Sequence, residues 1–248
     1  GVVGAGTMGN GIAQVVALAG VEAVISDIGE EQLQRGLNTV SGSLDRLIKK
    51  EKLTPEQKAA AMARISTATD MTALADCDLI IEAATENLEL KLKIFAQLDK
   101  VASAATLLAT NTSSISITRI AAATQRPDKV IGMHFFNPVP MMSLVELIRG
   151  IQTAETTYRE VEALTRAIGK TPVQVRNSPG FVVNRLLSPM LNEAMFVLGE
   201  GLATAAEIDE AMKLGANHPI GPLALADMIG LDVQLAVMQV LFDGFKDP

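Results

Sequence analysis

The chain opens Gly1-Val2-Val3-Gly4-Ala5-Gly6-Thr7-Met8-Gly9, an apolar strand running into three glycines in G-x-G-x-x-G spacing. Each glycine meets a physical demand. Gly4 permits a tight turn, Gly6 lets a pyrophosphate approach backbone N–H groups, and Gly9 lets the following helix pack closely on the strand. The helix entered at Thr7 and Met8 then offers its partial positive charge to the phosphates. Asp27 ends the next apolar strand, 23 residues after Gly4. A carboxylate there accepts hydrogen bonds from ribose hydroxyls and repels a 2′-phosphate, which favours NAD over NADP. A purely structural βα turn would use the same glycines, and Asp27 taken alone would serve equally well as a cap before Glu30-Glu31. Strand, glycines, helix, strand and acid in register favour dinucleotide binding.

Outward from this unit, strand-like apolar runs at Gly1–Val3, Ala23–Ser26, Asp78–Glu82, Thr106–Thr110, Val130–His134, Leu144–Ile148 and Pro172–Val175 alternate with helical patterns. The helices fall at Met8–Ala19, Glu30–Glu51, Leu88–Ser103, Ile115–Ala123 and Glu155–Ile168, and Thr54-Pro55-Glu56-Gln57 starts another with a capping box. The strands lack polar alternation, so the fold class is α/β, a Rossmann-type doubly wound, mostly parallel sheet with helices on both faces. After Arg176, Asn177-Ser178-Pro179-Gly180 is turn chemistry, and the rest is helical pattern at Phe181–Leu198, Ala205–Leu214 and Pro222–Phe245. Two domains are expected: 1–176, binding the dinucleotide, and a smaller all-helical one at 177–248.

Composition narrows the function classes. The 248 residues are 48% hydrophobic and carry a net charge of −7, a poor match to a nucleic-acid backbone. The richest apolar stretch, Ile12–Ile25, is interrupted by Gln14, Gly20 and Glu22 and falls short of the ~18 residues of a membrane span. A single cysteine, Cys77, and two histidines leave little for a disulfide or a metal centre and fit a cytoplasmic setting. The first strand is shorter than the ~5–6 residues usual for a buried strand, and the last helical pattern stops in mid-course. Trimming at both ends is therefore expected.

The chemistry is expected around a second cluster. His134 ends a buried strand, where open α/β sheets gather their ligands, although an isolated histidine is more often satisfied within a core. It is followed by the turn Phe135-Phe136-Asn137-Pro138-Val139-Pro140 and then by Glu146 in the apolar strand Leu144–Ile148. A buried carboxylate needs a partner, and His134 is the nearest candidate in sequence; the plainer alternative is a solvent-facing strand edge. A His–Glu pair suits proton transfer, because the carboxylate fixes the tautomer of the imidazole. Asn111-Thr112-Ser113-Ser114 puts small hydrogen-bonding groups at another strand end, where they could equally cap the next helix. Asn184 is a polar residue at the start of the first helix of the second part. Arg46, Lys49, Lys50 and Lys52 form a basic cluster that suits either a polyanionic substrate handle or a solvated helix face.

Together, Gly4–Gly9, Asn111-Thr112-Ser113-Ser114, His134-Phe135-Phe136-Asn137-Pro138, Pro179-Gly180-Phe181-Val182-Val183-Asn184-Arg185 and His218-Pro219-Ile220-Gly221-Pro222 resemble the 3-hydroxyacyl-CoA dehydrogenase family along the whole chain. The resemblance implies His134 as general base in oxidation and acid in reduction, with Glu146 orienting it. Ser113 and Asn184 would hold the 3-oxygen and thioester region of the substrate. NAD would be contacted by Asp27, Glu86, Lys91, Asn111, Ser113 and Asn137, and the coenzyme A portion by Ser43 and Lys50, while Arg46, Lys49 and Lys52 keep the solvated-face reading. It also implies a homodimer through the helical part and a structural role for His218. Two alternatives stand beside it: a related NAD-dependent dehydrogenase of a free hydroxy acid, of the gulonate-oxidising, crystallin-like kind, and a non-catalytic dinucleotide-binding protein.

Overall fold

In the structure, a computed structural model describing residues 1–246, the chain divides into two compact units, Gly1–Asn177 and Ser178–Pro248. The first is built on an eight-stranded sheet in the order β3-β2-β1-β4-β5-β6-β7-β8. Its strands are β1 (Val2–Val3), β2 (Ala23–Ser26), β3 (Ile65–Ala68), β4 (Leu79–Glu82), β5 (Leu107–Thr110), β6 (Val130–Phe135), β7 (Leu144–Arg149) and β8 (Thr171–Arg176). All neighbouring pairs are parallel except β6 and β7, joined by the short Phe136–Ser143 connection, which leaves no room for a crossover helix. The order reverses at β1, which pairs with β2 on one side and β4 on the other, creating the crevice where such sheets bind ligands.

Helices α1 (Thr7–Leu18), α2 (Glu30–Lys49), α3 (Pro55–Ala63), α4 (Leu88–Val101), α5 (Ile117–Ala121) and α6 (Glu155–Ala167) join the strands. The central strands are buried on both faces, as their unbroken apolar runs require: β5 and β6 contain no residue that is even half-exposed. Val2, Ile12, Ile25, Ile81, Ala109, Ile131, Met133 and Leu147 pack into one continuous core, and Ala17, Val40, Leu44 and Ala61 form a smaller one.

One strand and several helix limits differ from the sequence expectation. β3, Ile65-Ser66-Thr67-Ala68, has no apolar run because it is the edge strand, with Ser66 and Thr67 exposed. The helix expected over Ile115–Ala123 starts two residues later, because Ser116 is its N-cap and accepts the Arg119 N–H. In the second unit, α8 (Ala205–Gly215) follows the expected pattern, whereas α7 (Val183–Gly199) starts two residues after the expected Phe181, whose φ of 52° lies outside helical space. The single helix expected over Pro222–Phe245 is instead two, α9 (Pro222–Ile229) and α10 (Leu231–Phe245), bent by 97°. The break is at Gly230, whose φ of 102° lies outside helical space and is accessible to glycine at little cost.

Candidate active site

The glycine turn shows why each glycine stands where it does. Gly4 has φ +99°, and a Cβ on it would lie 2.7 Å from the Ala84 Cα. A Cβ on Gly9 would collide with the Gly4 carbonyl oxygen, whereas one on Gly6 would meet nothing within 4 Å. Gly6 thus faces open space at the N-terminus of α1, where it is the N-cap residue and no side chain caps the first turn. The uncapped N–H groups are the donor set a pyrophosphate requires. Thr7 is exposed beside Gly6, while the Met8 side chain packs towards the core, so Met8 has its backbone to offer. Asp27 accepts the Ala5 N–H at 2.7 Å and the Ile28 N–H at 2.7 Å, tying the second strand end to the turn. A cleft of about 380 Å³ opens here, lined by Gly4, Gly6, Thr7, Asn10 and Asp27 among others. Uncapped amides, an open glycine and a ribose-accepting carboxylate along one cleft fit an NAD molecule.

His134 and Glu146 are directly opposite each other in the antiparallel β6–β7 pair. Their side chains meet at 2.7 Å between Nδ1 and Oε2, with relative exposures of 7% and 1%. Burial rules out the solvent-edge alternative for Glu146, and the hydrogen bond supplies the partner that a buried carboxylate needs. Phe136 packs on the imidazole at 4.5 Å between ring centroids and 54° between planes. Asn137, joined to Pro138 by a cis peptide, is exposed on the following turn.

The neighbouring strand ends carry a second polar cluster. Glu86 Oε1 accepts from the hydroxyls of Thr112 (2.7 Å), Ser113 (3.0 Å) and Ser114 (2.9 Å) and from the N–H groups of Ser113 (2.9 Å) and Ser114 (3.1 Å). This segment gives its donors to Glu86, and the side chain that caps α5 is Ser116, which accepts the Arg119 N–H. Asn111 accepts the Phe135 N–H at 2.9 Å, linking the end of β5 to the residue after His134. Lys91, in the first turn of α4, is buried between two carboxylates: it touches Glu82 and lies 3.9 Å from Glu86 Oε2. With 1% of its side chain exposed, Lys91 is held between these two carboxylates.

The family models for the NAD binding domain of 3-hydroxyacyl-CoA dehydrogenase and for its C-terminal domain match residues 1–178 and 180–248. The chain belongs to the 3-hydroxyacyl-CoA dehydrogenase family. It is 51% identical over 247 residues to the 3-hydroxybutyryl-CoA dehydrogenase of Bradyrhizobium diazoefficiens, covering 100% of this chain and 84% of that one. Identity is also 51% to the enzyme of that name from Clostridioides difficile, over 99% of this chain and 88% of the other. The crystal structure of (S)-3-hydroxybutyryl-CoA dehydrogenase PaaH1 from Ralstonia eutropha superposes with a TM-score of 0.97 at 62% identity, covering 100% of this chain and 87% of that chain. This 3-hydroxyacyl-CoA dehydrogenase is accordingly an NAD-dependent oxidoreductase, and the Rossmann-type fold expected from the sequence is the one it has.

The remaining expected site residues lie elsewhere. Ser43 is half-buried in the fourth turn of α2, and Lys50 is the exposed C-cap of the same helix, two turns on and therefore on the same face. Arg46, Lys49 and Lys52 are exposed, consistent with a solvated face. Asn184 is half-buried in the first turn of α7, in the helical unit. His218 lies in the turn after α8, where its N–H bonds the Met212 carbonyl at 3.2 Å.

Two residues of this dehydrogenase were not singled out from the sequence. Glu82 is fully buried and accepts from Thr110 Oγ1 at 2.9 Å, from the Ala84 N–H at 2.9 Å and from Lys91. A carboxylate closing the apolar run Leu79-Ile80-Ile81 was the available signal, but at a strand end it reads as the first solvent-facing residue. Lys170 donates to the carbonyls of Val139 (2.6 Å) and Met142 (2.7 Å) and so clamps the turn that follows His134. Burial pushes its ammonium below the usual lysine value.

Proposed function

We propose that the protein catalyses the reversible oxidation of an (S)-3-hydroxyacyl-CoA to the 3-oxoacyl-CoA, with 3-hydroxybutyryl-CoA and acetoacetyl-CoA as the pair it handles. The observation that carries this reading is the buried Nδ1–Oε2 bond between His134 and Glu146. It assigns Nδ1 to the carboxylate and Nε2 to the substrate. When bound, NAD accepts the hydride that leaves C3. His134 takes the 3-hydroxyl proton as that C–H bond breaks, the C3–O bond becomes a carbonyl, and Glu146 stabilises the imidazolium that forms. In reduction His134 returns the proton to the 3-oxygen.

Ser113 is proposed to hold the 3-oxygen, with its position set by Glu86. Asn184 is carried as a contact to the thioester region, and Ser43 and Lys50 as contacts to coenzyme A, by the family resemblance. Gly4, Gly6, Gly9 and Asp27 bind the pyrophosphate and ribose, with the exposed Asn137 a further cofactor contact. The names of the relatives quoted above support the four-carbon acyl group. Use of NAD and acyl-CoA, both intracellular solutes, supports a cytoplasmic location. The helical unit leaves Leu186, Phe196, Leu202, Leu214, Met228 and Leu235 more than half exposed, and this supports a homodimer in which a second copy covers them.

Steady-state NADH oxidation with acetoacetyl-CoA and with free acetoacetate separates this reading from dehydrogenation of a free hydroxy acid. The thioester should be the better substrate by at least about tenfold in kcat/KM, and NADH should be preferred to NADPH. Equal turnover of the free acid would overturn the acyl-CoA assignment.

A further inference from the structure

Lys170 stands immediately before β8, with 8% of its surface exposed. Its ammonium donates to the Val139 carbonyl at 2.6 Å and to the Met142 carbonyl at 2.7 Å. A buried ammonium is ordinarily matched by a carboxylate, because carbonyl dipoles offset only part of its lost hydration. Here no acid pairs with it among the described residues, and burial holds its pKa below the usual lysine value. A methionine would fill the same length of space without that cost. What the charge does is grip two carbonyls of one turn through charge-assisted hydrogen bonds, which an apolar side chain cannot make.

That turn joins the two strands of the proton-transfer pair. Phe135 opposite Val145 is the last paired position before it, and His134 opposite Glu146 is the next. Phe136, the first residue of the turn, packs on the His134 imidazole at 4.5 Å between ring centroids. Val139, three residues on, is held from two sides. Lys170 binds its carbonyl, and Gly11 of α1 approaches its side chain so closely that a Cβ there would lie 2.9 Å from the Val139 Cβ. The far end of the turn is anchored by the residue beside Lys170, since the Thr171 N–H donates to the Ser143 carbonyl at 2.7 Å.

We propose that Lys170 is a positioning residue for His134: by fixing the β6–β7 turn it keeps Phe136 against the imidazole and so holds the ring in one orientation. The consequence for turnover rests on the proposed role of His134 as the base; the consequence for the ring does not. Removing the ammonium releases the Val139 and Met142 carbonyls, lets the turn carry Phe136 away, and spreads the imidazole over several orientations. A reacting group displaced by about 1 Å loses rate by tenfold or more.

The chain has two histidines, His134 and His218, so their ring signals can be assigned separately. The test is nitrogen NMR of the histidine-labelled whole chain, with steady-state kinetics on acetoacetyl-CoA and NADH, for the wild type and Lys170→Met. Sharp His134 ring signals are expected in the wild type. In Lys170→Met they should shift or broaden while those of His218 stay in place, with kcat down about tenfold and the KM for acetoacetyl-CoA and the NADH dissociation constant within about threefold. A disturbed ring with unchanged kcat, a lower kcat with an undisturbed ring, or no change in either would overturn the inference. If Lys170→Met does not fold, Gly11→Ala decides by the same two readouts, because its added methyl group displaces Val139 from the other side. Full turnover by His134→Gln would refute the base, and the ring signals alone would then judge Lys170.

Discussion

A carboxylate in the middle of Leu144-Val145-Glu146-Leu147-Ile148 is costly to bury unless something answers it, and strand register puts His134 opposite. The pair was legible in the sequence because Glu146 interrupts an apolar strand and His134 is the nearest candidate partner, across the Pro-containing turn. Glu82 obeys the same physics but ends its strand, and Lys170, between Gly169 and Thr171, has the look of a surface lysine, so neither stood out. Lys91 shows the converse: a helix's first turn is ordinarily solvated, and only the packed structure reveals that this lysine turns inward. Replacing Glu146 with Gln keeps the shape and removes the charge that fixes the imidazole. The expected outcome is a fall in kcat of about 10- to 100-fold with NADH affinity within twofold of wild type, read by single-turnover kinetics and fluorescence titration. A matching loss of NADH affinity would mean that Glu146 supports the fold of the site and not the base.

Elements were legible wherever an apolar period was uninterrupted, as in the central strands and in α1, α4 and α6. They were illegible where tertiary context decides: β3 is an edge strand without an apolar run to mark it, and the α9–α10 break depends on one glycine inside a continuous helical pattern. Helix α6 also carries a charge network with a pH signature. Glu155 is held below the ordinary carboxylate value by its hydrogen bond from Arg149, and Glu162 by its hydrogen bond from Arg166. Depressed carboxylates bind protons in the unfolded chain first, so their contribution is present above the unfolded value of about 4.3 and is lost as pH falls through the folded values. Glu155 is exposed, as are Arg159 and Arg166, the arginine partners on the same helix, so the contribution is small and screened by salt. Urea unfolding of Glu155→Gln/Glu162→Gln between pH 7 and 3 should show a shallower loss of stability with acid than wild type, and the difference should shrink in about 1 M salt. Parallel acid profiles would remove the network from the account.

At the scale of the whole molecule, the β/α alternation followed by unbroken helical pattern was enough to expect a doubly wound sheet and an all-helical part, because patterning sets fold class before packing detail matters. What patterning could not supply is the purpose of the apolar side chains on α7, α8 and α10, since core packing and a second copy bury the same residue types. Sedimentation equilibrium at micromolar concentration should give about twice the mass of one chain, and Leu235→Glu should shift it towards the monomer; a wild type that stays monomeric would refute the homodimer. The central claim concerns chemistry, and it is tested most directly by one comparison: NADH oxidation by acetoacetyl-CoA in the wild type and in His134→Gln, with NADH affinity measured on both. The account predicts a loss of turnover of about 10²- to 10⁴-fold in the variant with NADH binding within twofold. Full turnover by His134→Gln would contradict it.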